Sequence, residues 1–487
     1  MSYKNFSRRE FLKTGALSTA ALGSGILGGG ARKSKKRSVA GDAKNVIFLV
    51  SDGMSAGTLA LADQIKISET GEKTHWMKLY ESDKEHHRGL MDMASLDSVV
   101  TDSAAAASSW GCGQRINNGG LNWGPNDEPI KPINLIFRDA GKGTGLVTTT
   151  RLTHATPSGF SVNVPQRGME EEIAVQYLER EYDVLLGGGE RQFSSESRSD
   201  ERDLFGEFEA KGYSVVKSKA ELNSASENGK ILGTFYGSHL PYSVDHKSLP
   251  KLQESVPTLA ELTDAALKRL DKNNNGFILQ IEGGRVDHAA HGNCPSGLIY
   301  DQIAFDDAIK VVMDYTEGRD DTLVILTTDH GNANPGLGAY GSGYRQSPIM
   351  LDTIKDYKHS FEWIHGQLNV SWDDTSLDDG ITVNRVRELI EYASNTRITE
   401  EEAIMAFQAL NGDFRAPFRN RQGAAGVFSG IMANYNGIYF ISTTHTSDYV
   451  ELAAWGPGSD KIPTFVRNTD LFDLMVEMAA VQDYTTF

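Results

Sequence analysis

Side chains that ligate metals crowd into one short stretch. Ile281-Glu-Gly-Gly-Arg-Val-Asp-His-Ala-Ala-His-Gly292 offers Glu282, Asp287, His288 and His291. Imidazole combined with carboxylate is a zinc donor set, and carboxylate oxygen suits magnesium. Asp287 and His291 are four apart, so a helical turn would put both on one face, where they can grip one ion. The apolar run before them, Phe277–Ile281, reads as a buried strand. Three other apolar runs end the same way: Asn45–Ser51 in Asp52, Thr322–Thr328 in Asp329 and His330, and Thr144–Thr150 just before His154 and Thr156. Open parallel α/β sheets bind ligands beyond the carboxyl ends of their strands. Four strand ends far apart in sequence can therefore meet at one metal centre.

A nucleophile is needed beside such a centre, and Thr101-Asp-Ser103 ahead of an alanine-rich run supplies one. The pattern places Ser103 where a strand gives way to a helix, and a helix N-terminus favours anions. Thr101, Asp102 and Ser103 are equally ordinary as helix caps. The metal clusters promote Ser103, because a metal can deprotonate a serine that has no histidine base beside it.

Strand and helix patterns alternate from Lys44 onward. They predict an α/β fold with a doubly wound, mostly parallel central sheet flanked by helices. Strands are expected near 45–51, 97–101, 144–150, 182–186, 276–282, 322–328 and 436–442. Helices are expected at 103–110, 170–180, 258–271, 297–315 and 470–480, one of them opened by a capping box at Thr258 and Glu261. One catalytic domain is expected over 41–487, with an insertion at about 340–430 that carries helical patterns at 383–393 and 400–410. Asp271-Lys-Asn-Asn-Asn-Gly276 followed by Glu282 has the spacing of a calcium loop. A strand follows it instead of an exiting helix, so it reads as a polar turn.

The chain has 487 residues, 39% of them hydrophobic, and a formal charge of −17. That charge argues against a nucleic-acid-binding surface. Cys112 and Cys294 are too few for a disulfide scaffold and read as two lone, partly buried thiols. Ser7-Arg-Arg-Glu-Phe-Leu-Lys13 resembles a bacterial twin-arginine export motif. A Gly/Ala-rich stretch follows, then small residues suited to cleavage after Ala40. Residues 1–40 are accordingly expected to be a signal peptide, and the protein periplasmic or secreted. No apolar run elsewhere approaches the ~20 residues of a membrane span.

Taken together, Leu49-Val-Ser-Asp52-Gly-Met54, Thr101-Asp-Ser103-Ala-Ala, His154-Ala-Thr156-Pro, Ile281-Glu-Gly-Gly-Arg-Val-Asp-His-Ala-Ala-His291, Thr328-Asp-His-Gly331 and His445-Thr446 resemble the alkaline phosphatases in order and spacing. The resemblance runs from about Asn45 to Gly458 and is weakest over 340–430. It implies hydrolysis of small phosphate monoesters to inorganic phosphate through a phosphorylated Ser103, at two Zn2+ and one Mg2+. Asp287, His291 and His445 would hold one zinc, and Asp52, Asp329 and His330 the other. Asp52, Thr156 and Glu282 would hold the magnesium, with Asp52 bridging. Arg167 falls where the family places its phosphate-binding arginine. His154 and His288 occupy positions that vary among relatives and are expected to stand behind the ligands, relaxing the magnesium selectivity of the third site. A homodimer is common among relatives. The alternatives are a phosphodiesterase of the same superfamily, which typically lacks the magnesium set, and an inactive metal- or phosphate-binding protein. The remaining seven histidines, His86 and His87 among them, read as surface residues.

Overall fold

The computed structural model describes residues 39–82, 86–339, 343–370, 376–414 and 423–487. Apart from Val39 and Ala40, the expected signal peptide lies outside the described residues. Ten strands make one sheet: β1 (Asn45–Val50), β2 (His87–Asp92), β3 (Gly143–Arg151), β4 (Val184–Gly188), β5 (Ser214–Val216), β6 (Ile231–Thr234), β7 (Phe277–Glu282), β8 (Thr322–Thr327), β9 (Val450–Trp455) and β10 (Phe465–Arg467). Their order is β10-β2-β9-β8-β1-β7-β3-β4-β6-β5. The four strands whose ends carry the ligand-type residues, β8, β1, β7 and β3, are consecutive and mutually parallel. Only β9 runs against its neighbours, β8 and β2. The sheet is thus mixed and mostly parallel, flanked by helices as expected.

Every residue of β1, β7 and β8 is buried, which is why these segments are near-continuous apolar runs. Alternate side chains serve opposite layers. Ile47 and Leu49 join one apolar core, while Val46, Phe48 and Val50 join the other. Phe48 packs its ring 4.8 Å from Trp110 and 5.1 Å from Phe160. This ties β1 to two helices, α1 (Ser103–Cys112) and α2 (Ala155–Gly159).

Residues 97–101 form no strand. Their backbone is satisfied by side chains: the Val100 N–H donates to Ser98 Oγ, its carbonyl accepts from Asn118, and the Asp102 N–H donates to Asn118 Oδ1. Val99 is 74% exposed, so apolar content here does not signal burial. Of the expected strand at 436–442, only Ile438–Tyr439 is extended. Conversely, β2 carries His, Arg and Gly and had no strand signature; its pairing with β9 and β10 holds it extended. The expected helices are present, including the capping box at Thr258 and Glu261. The calcium-like stretch is a turn closed by Gly276 at φ +85°, entering β7.

Within 340–430, helices at Val383–Ser394 and Glu400–Leu410 form as expected, beside Phe361–Leu368. Phe361, Ile364, Leu389 and Ala406 join the same apolar core as Ile47 and Leu49. Among the described residues no helix is long and apolar enough to cross a membrane.

Helix α1 is buried along its whole length and consists of small residues where it meets α2. A Cβ on Gly111 would stand 1.8 Å from the Gly159 carbonyl oxygen, and one on Gly159 would stand 2.5 Å from Ala107 Cβ. Neither backbone can yield without separating the helices that carry Ser103 and Thr156. Gly111→Ala is therefore expected to cost about 2–3 kcal/mol of stability in urea denaturation. An unchanged midpoint would contradict this close crossing.

Candidate active site

Parallel register sets the site. Val50 of β1 lies beside Glu282 on one side and Thr327 on the other, and Glu282 lies beside Thr148 of β3. The next residues of each strand therefore emerge together. The Gly53 N–H donates to Asp329 Oδ1 at 2.9 Å, and the Met54 N–H to Thr328 Oγ1 at 2.9 Å. Gly53 has φ +69°, and a Cβ there would lie 2.5 Å from Asp287 Oδ1. Glycine is needed for both reasons, because the turn after β1 rests directly on Asp287.

Asp52, Glu282 and Asp329 are fully buried and Asp287 nearly so. Among the described residues none of the four forms an ion pair with lysine or arginine. Among the described residues Asp52 Oδ1 and Glu282 Oε1 have no hydrogen-bond partner, and Asp329 Oδ2 has only His330 Nε2 nearby, at 3.2 Å. Three groups of donor atoms converge, each within 4.8 Å: Asp287, His330 and His445; Asp52, Asp329 and His330; and Asp52, His154 and Glu282.

Helix α3 (Arg285–His291) turns Asp287 and His291 to one face, with His291 Nε2 3.4 Å from Asp287 Oδ2. His445 Nε2 lies 3.5 Å from Asp287 Oδ1 and 3.0 Å from His291 Nε2. Their other nitrogens face carbonyls, His291 Nδ1 that of Thr443 at 2.7 Å and His445 Nδ1 that of Thr101 at 2.9 Å. A carbonyl can only accept, so each Nδ1 carries the proton and each Nε2 presents a lone pair. Two lone pairs and a carboxylate aimed at one point repel unless a cation sits among them. Zinc suits this nitrogen-rich set, and the orphaned carboxylate oxygens suit further divalent cations. The residues present fit the metals that the sequence implies.

Ser103 is the first residue of α1, and its Oγ lies 3.2 Å from His330 Nε2. Asp102 caps the helix through Oδ1, which accepts from the Ala105 N–H. Its Oδ2 accepts from Arg167 Nη1 at 3.0 Å and from the Gly119 N–H. One carboxylate thus fixes the helix end and swings the arginine beside the serine. Arg167 also meets His154 Nε2 at 3.2 Å. Thr156 donates to Asp52 Oδ2 at 3.3 Å, and Glu282 accepts from Thr148 and Thr150. His288 packs 5.3 Å from the His154 ring and bonds Arg285 through Nδ1.

All twelve residues singled out in the sequence come together here, and His154 stands closer in than expected, with Asp52 and Glu282. Several contributors lacked a sequence signal. Asn332 donates to Asp287 Oδ1 at 2.7 Å; its place just after Asp329-His330 was the only hint. His239 is half-buried against both His154 and His288. His359 and His365 are buried rather than on the surface, His359 by pairing with Asp245. Cys112 and Cys294 are free and buried.

The sheet end thus gathers buried carboxylates and imidazoles around a helix-capped serine and an arginine. The chain belongs to the alkaline phosphatase family, whose model, described as alkaline phosphatase, matches residues 43–481. It is 27% identical over 455 residues to alkaline phosphatase 4 of Bacillus subtilis, covering 92% of this chain and 91% of that protein. It is 30% identical over 333 residues to the alkaline phosphatase of Escherichia coli, covering 60% and 71% respectively. The crystal structure of Thermus thermophilus alkaline phosphatase superposes with a TM-score of 0.84 at 31% identity, covering 94% of this chain and 96% of that one.

The electrostatics make metal and proton interchangeable. Burial, followed by the charges of Asp329, Asp287 and Glu282, pushes Asp52 well above the usual carboxylate range. Burial likewise raises Glu282 to about 7, against the bonds from Thr148 and Thr150. Burial opposes charge on His330, yet Asp329 holds its imidazole above the ordinary value. Such raised groups stabilise the fold fully below their unfolded values and lose that contribution as pH climbs through the folded ones. Burial opposes charge on Asp287 and Asp329 too, but protonated imidazoles, His291 and His445 beside the first and His330 beside the second, outweigh it and hold both below the ordinary value, so they change only in acid. Burial holds other imidazoles, those of His154, His239, His288, His365 and His445 among them, below the ordinary value, and they oppose this trend below about pH 6.5. The chelated protein should therefore melt at progressively lower temperature from about pH 7 to about pH 8, and zinc with magnesium should reverse the loss. A melting temperature flat over that range, with or without metal, would contradict this picture.

Proposed function

We propose that this protein is an exported alkaline phosphatase that hydrolyses phosphate monoesters through a phosphoserine on Ser103. The observation that carries the reading is the placement of Ser103 Oγ, at the N-terminus of a buried helix, 3.2 Å from His330 and beside the Asp102–Arg167 pair. Asp287, His291 and His445 would hold one zinc, Asp52, Asp329 and His330 the second, and Asp52, Thr156 and Glu282 a magnesium. His154 and His288 would stand behind the third site, and the nearness of His154 to Asp52 and Glu282 supports a relaxed preference for magnesium there. When bound, these ions would supply Lewis-acid neutralisation of the phosphoryl group and lower the pKa of hydroxyl and water ligands.

The chain's own residues do the rest. Ser103 Oγ, its proton released to solvent, forms a bond to phosphorus as the ester oxygen departs with its electron pair and takes a proton from water; a second water then cleaves the phosphoserine, giving inorganic phosphate and returning a proton to Ser103 Oγ. The free N–H groups at the start of α1 favour the anion. Arg167 offers two N–H donors to two phosphoryl oxygens, and its hold on Asp102 keeps that fork in place before substrate arrives. Two successive displacements give net retention at phosphorus and phosphate transfer to added alcohols. The Asp52–His154–Glu282 group supports a monoesterase over a diesterase. Export by the twin-arginine route, to the periplasm or beyond, is part of this proposal and rests on the sequence of residues 1–40.

With zinc and magnesium supplied near about pH 9, the protein should turn over p-nitrophenyl phosphate, and Ser103→Ala should lower kcat by at least about a thousandfold while retaining its zinc. A folded, zinc-loaded wild type without turnover would overturn the reading.

A further inference from the structure

A cleft of about 460 Å3 opens beside the candidate metal ligands, lined among others by His239, Tyr242, Arg285, His288, His291 and Glu362. His291 borders the phosphoryl position, so the alcohol portion of a substrate has this cleft as room beyond it. Its charge is arranged asymmetrically. Arg285 is 3% exposed; its guanidinium lies 3.8 Å from the centroid of the Tyr242 ring. One guanidinium nitrogen donates to both oxygens of Glu362, at 2.8 and 2.7 Å, and another meets His288 Nδ1 at 3.0 Å. Glu362, from helix α4 (Phe361–Leu368), keeps 44% of its side-chain surface exposed. The cation is sealed beneath and the carboxylate faces the opening. An entering group meets negative charge first.

We infer that this cleft is the leaving-group subsite and that Glu362 selects for phosphate monoesters of alcohols that carry positive charge, such as amino and quaternary ammonium alcohols, over those whose alcohol portion is anionic. The inference rests on the phosphatase reading above. Arg285 spends Nη1 on His288 and Nη2 on Glu362, and its unpartnered Nε is buried, so it presents no exposed counter-charge to an anionic leaving group. A cation approaching the carboxylate gains without displacing that pair, because each carboxylate oxygen retains a lone pair.

The test uses the metal-loaded protein and three esters: phenyl phosphate, 4-carboxyphenyl phosphate and 4-(trimethylammoniomethyl)phenyl phosphate. The readout is the ratio of kcat/KM for the cationic ester to that for the anionic one; differences in leaving-group reactivity cancel when the same ratio is compared between variants. Glu362→Gln should lower the ratio about three- to tenfold, the size of a unit-charge interaction across several ångströms of partly solvated protein. In the wild type the ratio should also fall as salt rises from about 0.05 M to about 1 M. Glu362→Ala takes the place of Glu362→Gln if that variant does not fold, because the salt series alone also reports the overall negative charge. Turnover of all three esters with a ratio indifferent to both changes overturns the subsite and leaves the phosphatase standing, whereas turnover of none overturns both.

Discussion

Four carboxylates, Asp52, Glu282, Asp287 and Asp329, are buried against one another at the end of an apolar sheet, and among the described residues no lysine or arginine pairs with any of them. Isolated, such charges would be costly enough to protonate or to open the fold. The rest of the structure is arranged around that debt. Strand register brings the carboxylates together, histidines supply lone pairs among them, and some carboxylate oxygens are left without partners. Such an arrangement needs protons or cations to offset its charge, and bound cations would convert that electrostatic cost into a reactive centre.

The surrounding scaffold fixes orientation more than it adds charge. The Thr101 and Thr443 carbonyls select the tautomers of His445 and His291. Asp102 caps α1 and holds Arg167 with the same carboxylate. Gly111 and Gly159 let α1 and α2 approach closely enough for Ser103 and Thr156 to share one site. Helix α4 supplies Glu362, which seals Arg285 behind His288 and gives the adjoining cleft its sign. Each is a local contact that orients a residue of the candidate site.

Much of this was legible in the sequence, for a physical reason. A strand buried on both faces needs a continuous apolar run, so β1, β3, β7 and β8 announced themselves, and the polar residues after them marked the open end of the sheet. The helical spacing of Asp287 and His291 was equally direct. What failed was local pattern without tertiary context. Ser98-Val-Val-Thr101 looks like a strand but is a loop held by Asn118. His87–Asp92 looks like a loop but is a strand held by β9. Glu362 lies 77 positions from Arg285, and no periodicity connects them. His239 seemed an isolated histidine because its neighbours, His154 and His288, reach it only through the fold.

On the function proposed above, the buried carboxylates and imidazoles hold divalent cations rather than protons. Elemental analysis of the folded protein, equilibrated with zinc and magnesium near about pH 8 and freed of unbound metal, tests it most directly. The account predicts two zinc ions and one magnesium, or a third zinc in its place, per chain. A folded protein that retains no divalent ion would contradict it.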